Sequence, residues 1–166
     1  MANITVGSDA TIKSTTAEGQ LHECCALLEI GEYNAAKNPN GADNIIGQHQ
    51  QNQRLFSANF SIPLESKSDG EGRTFHEVAE YLSDFAFSPG SGGTFKSSNC
   101  AAYFVEVVVY IQNLEKDLTK NPGKIDNVSG RFDIDKGIFT GSINLPVTLS
   151  ISTQGGVLYT ADSYLL

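Results

Sequence analysis

The sequence Lys37-Asn38-Pro39, followed after three residues by Asp43-Asn44, occurs twice in this chain. Its second copy is Lys120-Asn121-Pro122, followed at the same distance by Asp126-Asn127. The two copies lie 83 residues apart, and 83 is half of the 166-residue chain. Copies of an internal repeat share one fold, so each segment of the first half is interpreted together with the segment aligned to it in the second.

Sliding the chain against itself by 83 positions aligns residues 1–83 with residues 84–166 without a gap. Eighteen of the aligned pairs are identical, whereas chance at average composition gives roughly five. We therefore predict a tandem duplication whose halves, 1–83 and 84–166, are related by a pseudo-twofold axis. Because a half of this size has a marginal core on its own, we expect one compact domain with a shared core.

A long helix is predicted in each half. The apolar residues of the first half recur at helical spacing, at Leu21, Cys24, Cys25 and Leu28. Thr16, just before them, is a suitable N-cap. The aligned segment 103–111 is rich in valine, which alone indicates a strand. Its apolar positions match those of the first helix, so both segments are predicted to be helices, over 17–36 and 100–119.

The repeated motif is interpreted as a helix stop. Lys37 places positive charge at the helix C-terminus, where the helix dipole favours it. Asn38 can adopt the left-handed conformation that follows a helix, and Pro39 cannot continue the helix. Asp43-Asn44 then forms a turn into the next strand. Lys120, Asn121 and Pro122 take the same roles in the second half.

Alternation of apolar and polar residues predicts antiparallel strands after each helix. They cover 45–51, 56–64 and 74–82 in the first half, and 128–134, 139–147 and 157–165 in the second. Shorter strands before the helices cover 3–6, 11–14, 85–88 and 94–97. Each half is thus an α+β unit of order β-β-α-β-β-β. This order resembles that of hot-dog and cystatin-like folds.

The charge of the chain argues against several partners. Its net charge is −8 and its pI is about 4.7. Nucleic acids and anionic membrane surfaces attract clusters of Lys and Arg, and the sequence has none. No apolar run reaches transmembrane length, and the first residues lack the features of a signal peptide. We therefore expect a cytoplasmic protein that binds neither nucleic acid nor membrane.

Cysteine and histidine are common in metal and thiol sites, but the repeat argues against such a site here. Cys24 and Cys25 align with Val107 and Val108, and Cys100 aligns with Ala17. A position that accepts valine is a packing position, where a free cysteine acts as a small hydrophobic residue. The histidines His22, His49 and His76 align with Val105, Phe132 and Tyr159. A metal site would need all three histidines to converge with a carboxylate such as Glu23, so no metal and no cofactor is predicted.

The polar residues shared by both halves are the remaining candidates for a binding site. They are Lys13 and Lys96 before the helices, and Glu23 and Glu106 on the polar side of the helices. A twofold arrangement could bring them together to grip a polar ligand or to transfer protons. The alternative, which we favour, is that they lie on solvated faces.

Three classes of function stay open. Most residues shared by the halves are turn, cap or core types, which favours a non-enzymatic protein that binds a small ligand or a protein partner. One alternative is an enzyme or carrier with an apolar cavity between helices and sheet. The other is a structural protein that self-assembles into a homo-oligomer through its strand edges.

Overall fold

A computed structural model describes residues 12, 14–82, 97, 99–151, 153 and 155–165. These residues form two helices, α1 (Ala17–Tyr33) and α2 (Cys100–Glu115). They also form six antiparallel strands: β1 (Ile45–Gln50), β2 (Leu55–Ser68), β3 (Thr74–Val78), β4 (Val128–Asp133), β5 (Ile138–Ile151) and β6 (Val157–Ala161). The predicted α+β class is confirmed. The strands predicted before each helix lie outside the described residues, except for Ile12, Ser14 and Ser97, which are not in a strand.

The two long strands β2 and β5 pair at the centre of the sheet. β1 pairs with the first part of β2 and β3 with its last part, while β4 and β6 pair with β5 in the same way. The Ser61 N–H donates to the Asn44 carbonyl just before β1, and the Pro63 carbonyl accepts from Ala79 just after β3. Residues two apart on a strand face the same edge, so β1 and β3 follow one another along one edge of β2.

Pro63 lies where this edge passes from β1 to β3. A proline has no N–H to donate, so a position between two edge partners tolerates it. Pro63 is thus accommodated within a central strand, whose other side pairs with β5 at Ile138. Pro146 occupies the same place on β5, where its carbonyl accepts from the Asp162 N–H.

The core joins the inner face of the sheet to both helices. α1 packs against α2, β1 and β6, and α2 packs against β4 and β3. Phe60 on β2 meets Phe104 on α2 edge-on, with ring centroids 5.0 Å apart, and stacks on Phe139 of β5 at 5.5 Å. The valine-rich segment is helical, as predicted, and Val107 and Val108 are fully buried in it.

Both helices end earlier than predicted. α1 ends at Tyr33 and α2 at Glu115, so Lys37 and Lys120 lie beyond the last turn, and the dipole interaction predicted for them is wrong. Asn38 and Asn121 do not adopt the left-handed conformation either. Besides glycines, only Arg54 and Lys124 have positive φ among the described residues.

Each of these asparagines is instead a buried clamp on the loop that follows its helix. The Asn38 amide donates to the carbonyls of Glu32 and Ala42, at 2.9 and 2.7 Å. Its oxygen accepts from the Ala42 N–H at 2.9 Å. Asn121 makes the same three bonds with Glu115 and Ile125. A buried amide must satisfy its donors and acceptor, and here it does so by fixing the turn from helix to strand.

The strand lengths also differ from prediction. β2 and β5 extend beyond the predicted 64 and 147, whereas β3 and β6 stop short of 82 and 165. Tight turns precede β2 and β5, and Arg54 and Gly137 have positive φ there. Neither helix in the described ranges is long and apolar enough to cross a membrane.

Candidate functional site

A cavity of about 300 Å³ opens between the end of α1, the loop after it and the start of β1. This volume lies at the lower end of the range for small-molecule sites. Its described walls are Glu29, Glu32, Tyr33, Asn38, Gly41, Ala42, Asp43, Ile45, Ile46 and Gly47. The cavity is thus bounded by the segment that the repeated motif shapes.

Gly47 lets β1 run close to α1 at the wall of this cavity. A Cβ at position 47 would lie 2.6 Å from the Phe56 ring and 2.7 Å from Oε1 of Glu29. Gly130 in β4 is equally confined, with the Phe139 ring at 2.5 Å and Val108 at 2.9 Å. Glycine at these positions therefore has a packing reason, and at position 47 it leaves the space that a carboxylate occupies.

Glu29 is the unusual residue of the cavity. It is only 5% exposed, and among the described residues no hydrogen-bond partner reaches its Oε1. Burial raises the pKa of Glu29 to about 7, although the Gly47 N–H donates to the carboxylate and acts in the opposite direction. A buried oxygen left without a partner costs about 1–3 kcal/mol. The aligned residue in the second half is Gln112.

Glu32, on the same wall, has a structural role. Its carboxylate accepts from the N–H groups of Asn44 and Ile45, at 3.0 and 3.4 Å, and from the Tyr81 hydroxyl at 2.7 Å. Glu115 accepts from the corresponding groups, 83 positions later. Burial raises the pKa of Glu32 in spite of these donors. Glu32 thus shapes the cavity, while Glu29 lines it and keeps one buried oxygen with spare hydrogen-bonding capacity.

A second cavity, of about 260 Å³, lies at the end of α2. Its described walls are Gln112, Glu115, Lys116, Leu118, Lys124, Ile125 and Asp126. Six of these seven residues align with walls of the first cavity. The charges differ, because two lysines accompany the carboxylates of the second cavity. The described walls of the first contain three carboxylates and no Lys or Arg.

The structure also brings together two histidines that the sequence placed apart. Nε2 of His22 on α1 lies 2.9 Å from Nε2 of His49 on β1. The His49 ring stacks on Tyr159 of β6, with centroids 3.9 Å apart. Burial, aided by His49, lowers the pKa of His22 to about 3, and burial lowers the pKa of His49 to about 4. At neutral pH both rings are therefore uncharged, and one donates its N–H to the other.

A signal for this arrangement was present in the sequence. His22 and Glu29 are seven residues apart, which places them on one face of a helix. Gly47 and His49 are two residues apart, which places them on one face of a strand. The alignment with Val105 correctly indicated a packing position for His22, whereas Phe132, aligned with His49, is 52% exposed. Neither alignment pointed to the polar contact between the two histidines.

The third histidine does not join this pair. His76 lies on β3 and is exposed. Glu23 accepts from the Ser14 N–H with both oxygens, at 3.1 and 3.2 Å. In the part of the chain that the structure describes, no three His, Cys, Asp or Glu side chains are placed to hold one metal ion.

Two of the four site residues predicted from the sequence, Glu23 and Glu106, are among the described residues. Lys13 and Lys96 are outside the described residues. The solvated position that we favoured for Glu23 is wrong, because Glu23 is buried on α1; Glu106 is half-buried on α2. Both are close to Tyr103, whose pKa is raised by burial and by neighbours that include Glu106 and Glu23. None of these described residues lines either of the two cavities at the helix ends.

The cysteines agree with the packing interpretation. Cys24, Cys25 and Cys100 are free and buried. Burial raises the pKa of Cys24 and Cys25 well above the ordinary value, which keeps both as unreactive thiols. A cavity lined by Cys100, Leu28 and Leu82 holds only about 10 Å³, the space of one water. That part of the interior has no room for an apolar ligand.

No protein-family model matches this chain, and no match was found among curated proteins or solved structures.

Proposed function

We propose that this protein is a non-enzymatic binding protein that holds a small ligand in the cavity at the end of α1. The observation that carries the proposal is Glu29, a carboxylate that is 95% buried yet leaves one oxygen without a partner at the cavity wall. A residue that lowers stability and has an uncharged counterpart, Gln112, in an otherwise similar setting is not required by the fold. Such residues mark functional sites.

The cavity walls favour binding over catalysis. Covalent catalysis needs a nucleophile with an adjacent base, and the described walls contain no Ser, Cys, Lys or His. Glu32 is engaged by two backbone N–H groups and a tyrosine hydroxyl, so it is not free to exchange protons with a substrate. Glu29 and Asp43 are left as the charged contacts for a ligand.

We also propose that the scaffold is a tandem duplication with a pseudo-twofold axis through the β2–β5 pair. The α-helix and every strand of the first half begin 83 residues before their counterparts in the second half. The register of β2 and β5 has Asn59 opposite Ser142, which are themselves 83 residues apart. On this proposal the two cavities began as equivalent sites, and only the first acquired the buried carboxylate.

Ligand binding at the cavity can be tested by a nuclear magnetic resonance screen of the ¹⁵N-labelled protein. The library would contain cationic, neutral and anionic fragments, and the Gly47 and Ile45 amides would report on the cavity. At least one compound is expected to shift these amides saturably. Glu29→Gln should weaken that compound at least tenfold, whereas Gln112→Glu, a matched change in the other cavity, should not.

Stability provides a second readout of the same variant. Glu29 has a raised pKa in the folded state, so its ionisation destabilises the protein above pH 7 and not below pH 4.5. Glu29→Gln should therefore increase the free energy of unfolding by about 2 kcal/mol at pH 8 and leave it unchanged at pH 4.5. A library without any compound that shifts the cavity amides, together with no stability gain, would refute the proposed site.

A further inference from the structure

We infer that the ligand of the first cavity is a small organic cation carrying a primary ammonium group. The inference rests on the proposed binding function and gives it a ligand class. It is drawn from the charges of the two cavities, from the positions of the carboxylates, and from the apolar residues of the wall.

In the second cavity, lysine side chains balance the negative charge of the carboxylates. Lys116 and Lys124 line it, where the first cavity has Tyr33 and Gly41. The first cavity adds a third carboxylate, Glu29, to Glu32 and Asp43. The described walls of the first cavity therefore lack the cationic side chains of the second, and they carry more negative charge. A bound cation would neutralise the carboxylates of the first cavity as the lysines do in the second, and an anion would be repelled.

The positions of the carboxylates favour an organic cation over a bare metal ion. A divalent ion needs several oxygens that converge on one point. Among the described residues no three acidic or other ligating side chains do so. Both oxygens of Glu32 already accept hydrogen bonds. A cation that needs a single strong carboxylate contact fits this arrangement.

The wall also offers a surface for the apolar part of such a ligand. Tyr33 is 73% exposed and Ile46 is 59% exposed, although both are large and apolar. They line the same cavity as Glu29. The face of an aromatic ring attracts a cation and packs against the methylene groups next to it. A short alkylammonium therefore has both of its parts matched.

Ligand protonation and Glu29 are coupled. Three charged groups act on Glu29: the positive amino terminus of the chain favours its ionisation, whereas Glu32 on the same helix and Asp43 in the loop disfavour it. An ammonium in the cavity would favour the carboxylate and release its proton to solvent. Binding of an alkylammonium should therefore strengthen as the pH rises from 6 to 8.

Three probes of similar shape test the ligand class. n-Butylammonium, n-butanol and butyrate would be titrated into the ¹⁵N-labelled protein, with the Gly47 and Ile45 amides as reporters. We expect n-butylammonium to bind at least tenfold more tightly than n-butanol, and butyrate not to shift these amides. Affinity for n-butylammonium should increase from pH 6 to pH 8.

The sharpest control is a variant that places the lysines of the second cavity in the first. Tyr33→Lys combined with Gly41→Lys gives the first cavity the two lysines of the second, and it should remove n-butylammonium binding. A side chain at position 41 has open space around it, and Lys124 shows that lysine adopts this strained left-handed backbone, with φ 55° where Gly41 has φ 65°. Lys116→Tyr with Lys124→Gly, made in the second cavity only, should leave binding at Gly47 unchanged.

The outcomes separate the ligand class from the binding function. If n-butanol or butyrate shifts the Gly47 amide as strongly as n-butylammonium, the cationic class is wrong and the binding site stands. Saturable shifts by Mg²⁺ or Ca²⁺ alone, without n-butylammonium binding, would also overturn the organic cation. If neither these probes nor any fragment of the screen shifts the cavity amides, both proposals fail.

Discussion

At the scale of single residues, the gap between α1 and β1 holds two ionisable features with opposite pH dependence. The pKa of His22 is lowered, so the unfolded chain binds its proton more tightly and stability falls as the pH drops from 6.5 toward 3. The pKa of Glu29 is raised, so stability rises as the pH drops from 7 to 4.5. The two effects oppose each other over most of this range, and only a difference between variants separates them.

The second half of the chain supplies the variant that isolates the histidines. His22→Val with His49→Phe introduces the residues found at positions 105 and 132. Because Glu29 is present in both proteins, its contribution cancels in the difference. As the pH is lowered from 7 to 4.5, the unfolding free energy of the variant minus that of the wild type should increase by about 3 kcal/mol. This value takes about 1.4 kcal/mol per pKa unit for the buried His22.

Urea denaturation followed by circular dichroism at the two pH values measures this difference. His49→Phe alone is the control, since it leaves His22 buried without its partner and should keep an acid-dependent loss. If the stability difference between the variant and the wild type is the same at both pH values, the His22–His49 pair does not resist protonation.

Glu29 illustrates why the site was harder to predict than the fold. Periodicity places Glu29 on the polar side of α1, and a polar position on a helix is normally solvated. Its burial arises from the close approach of β1 at Gly47, a tertiary contact that no local pattern reports. The offset of 83 residues did contain a usable signal, because Glu29 aligns with Gln112 and Tyr33 with Lys116. These charge differences gain meaning only once both residues are known to line matching cavities.

At the scale of elements, apolar spacing located both helices and the three strands after each of them, but it did not locate their ends. Spacing reports which side chains are buried, whereas an element ends where its backbone finds other hydrogen-bond partners. The carbonyls of Glu32 and Ala42 find theirs in the Asn38 side chain. The ends of β2 and β5 were missed because most of their residues are exposed. Their backbone nevertheless pairs with β3 and β6.

Because the Asn121 side chain makes the clamp, replacing it with alanine should lower the stability of the protein substantially. Asn121→Ala removes three hydrogen bonds and leaves buried groups of Glu115 and Ile125 without partners. At about 1 kcal/mol for each bond, the variant should lose roughly 3 kcal/mol of unfolding free energy. Urea denaturation measures the loss, and Asn113→Ala, at an exposed position of α2, should change stability by less than about 0.5 kcal/mol. A loss below about 1 kcal/mol at position 121 would mean that the clamp is not what holds the loop.

At the scale of the whole molecule, the two halves cover each other. α1 packs on β6 and α2 packs on β3, so each helix contacts the last strand of the opposite half. Glu18 on α1 accepts from the N–H groups of Tyr164 and Leu165, at 2.8 and 3.0 Å. The Tyr103 hydroxyl on α2 donates to Gln20 on α1 across the contact between the helices. The hydrophobic core is correspondingly one cluster that draws on both halves.

This mutual cover predicts how the halves behave when they are separated. A chain of about 80 residues buries a smaller fraction of its surface than one of twice that length, and residues 1–83 alone would also expose the faces that β5, β6 and α2 now cover. Fragments 1–83 and 84–166 should each lack a cooperative thermal transition by circular dichroism, and an equimolar mixture should regain helical signal and a 1:1 complex by native mass spectrometry. The intact chain is the reference for both signals. A monomeric 1–83 fragment with a cooperative transition would show that the core is not shared, since the contacts between α1 and β6 and between β2 and β5 would then be dispensable for folding.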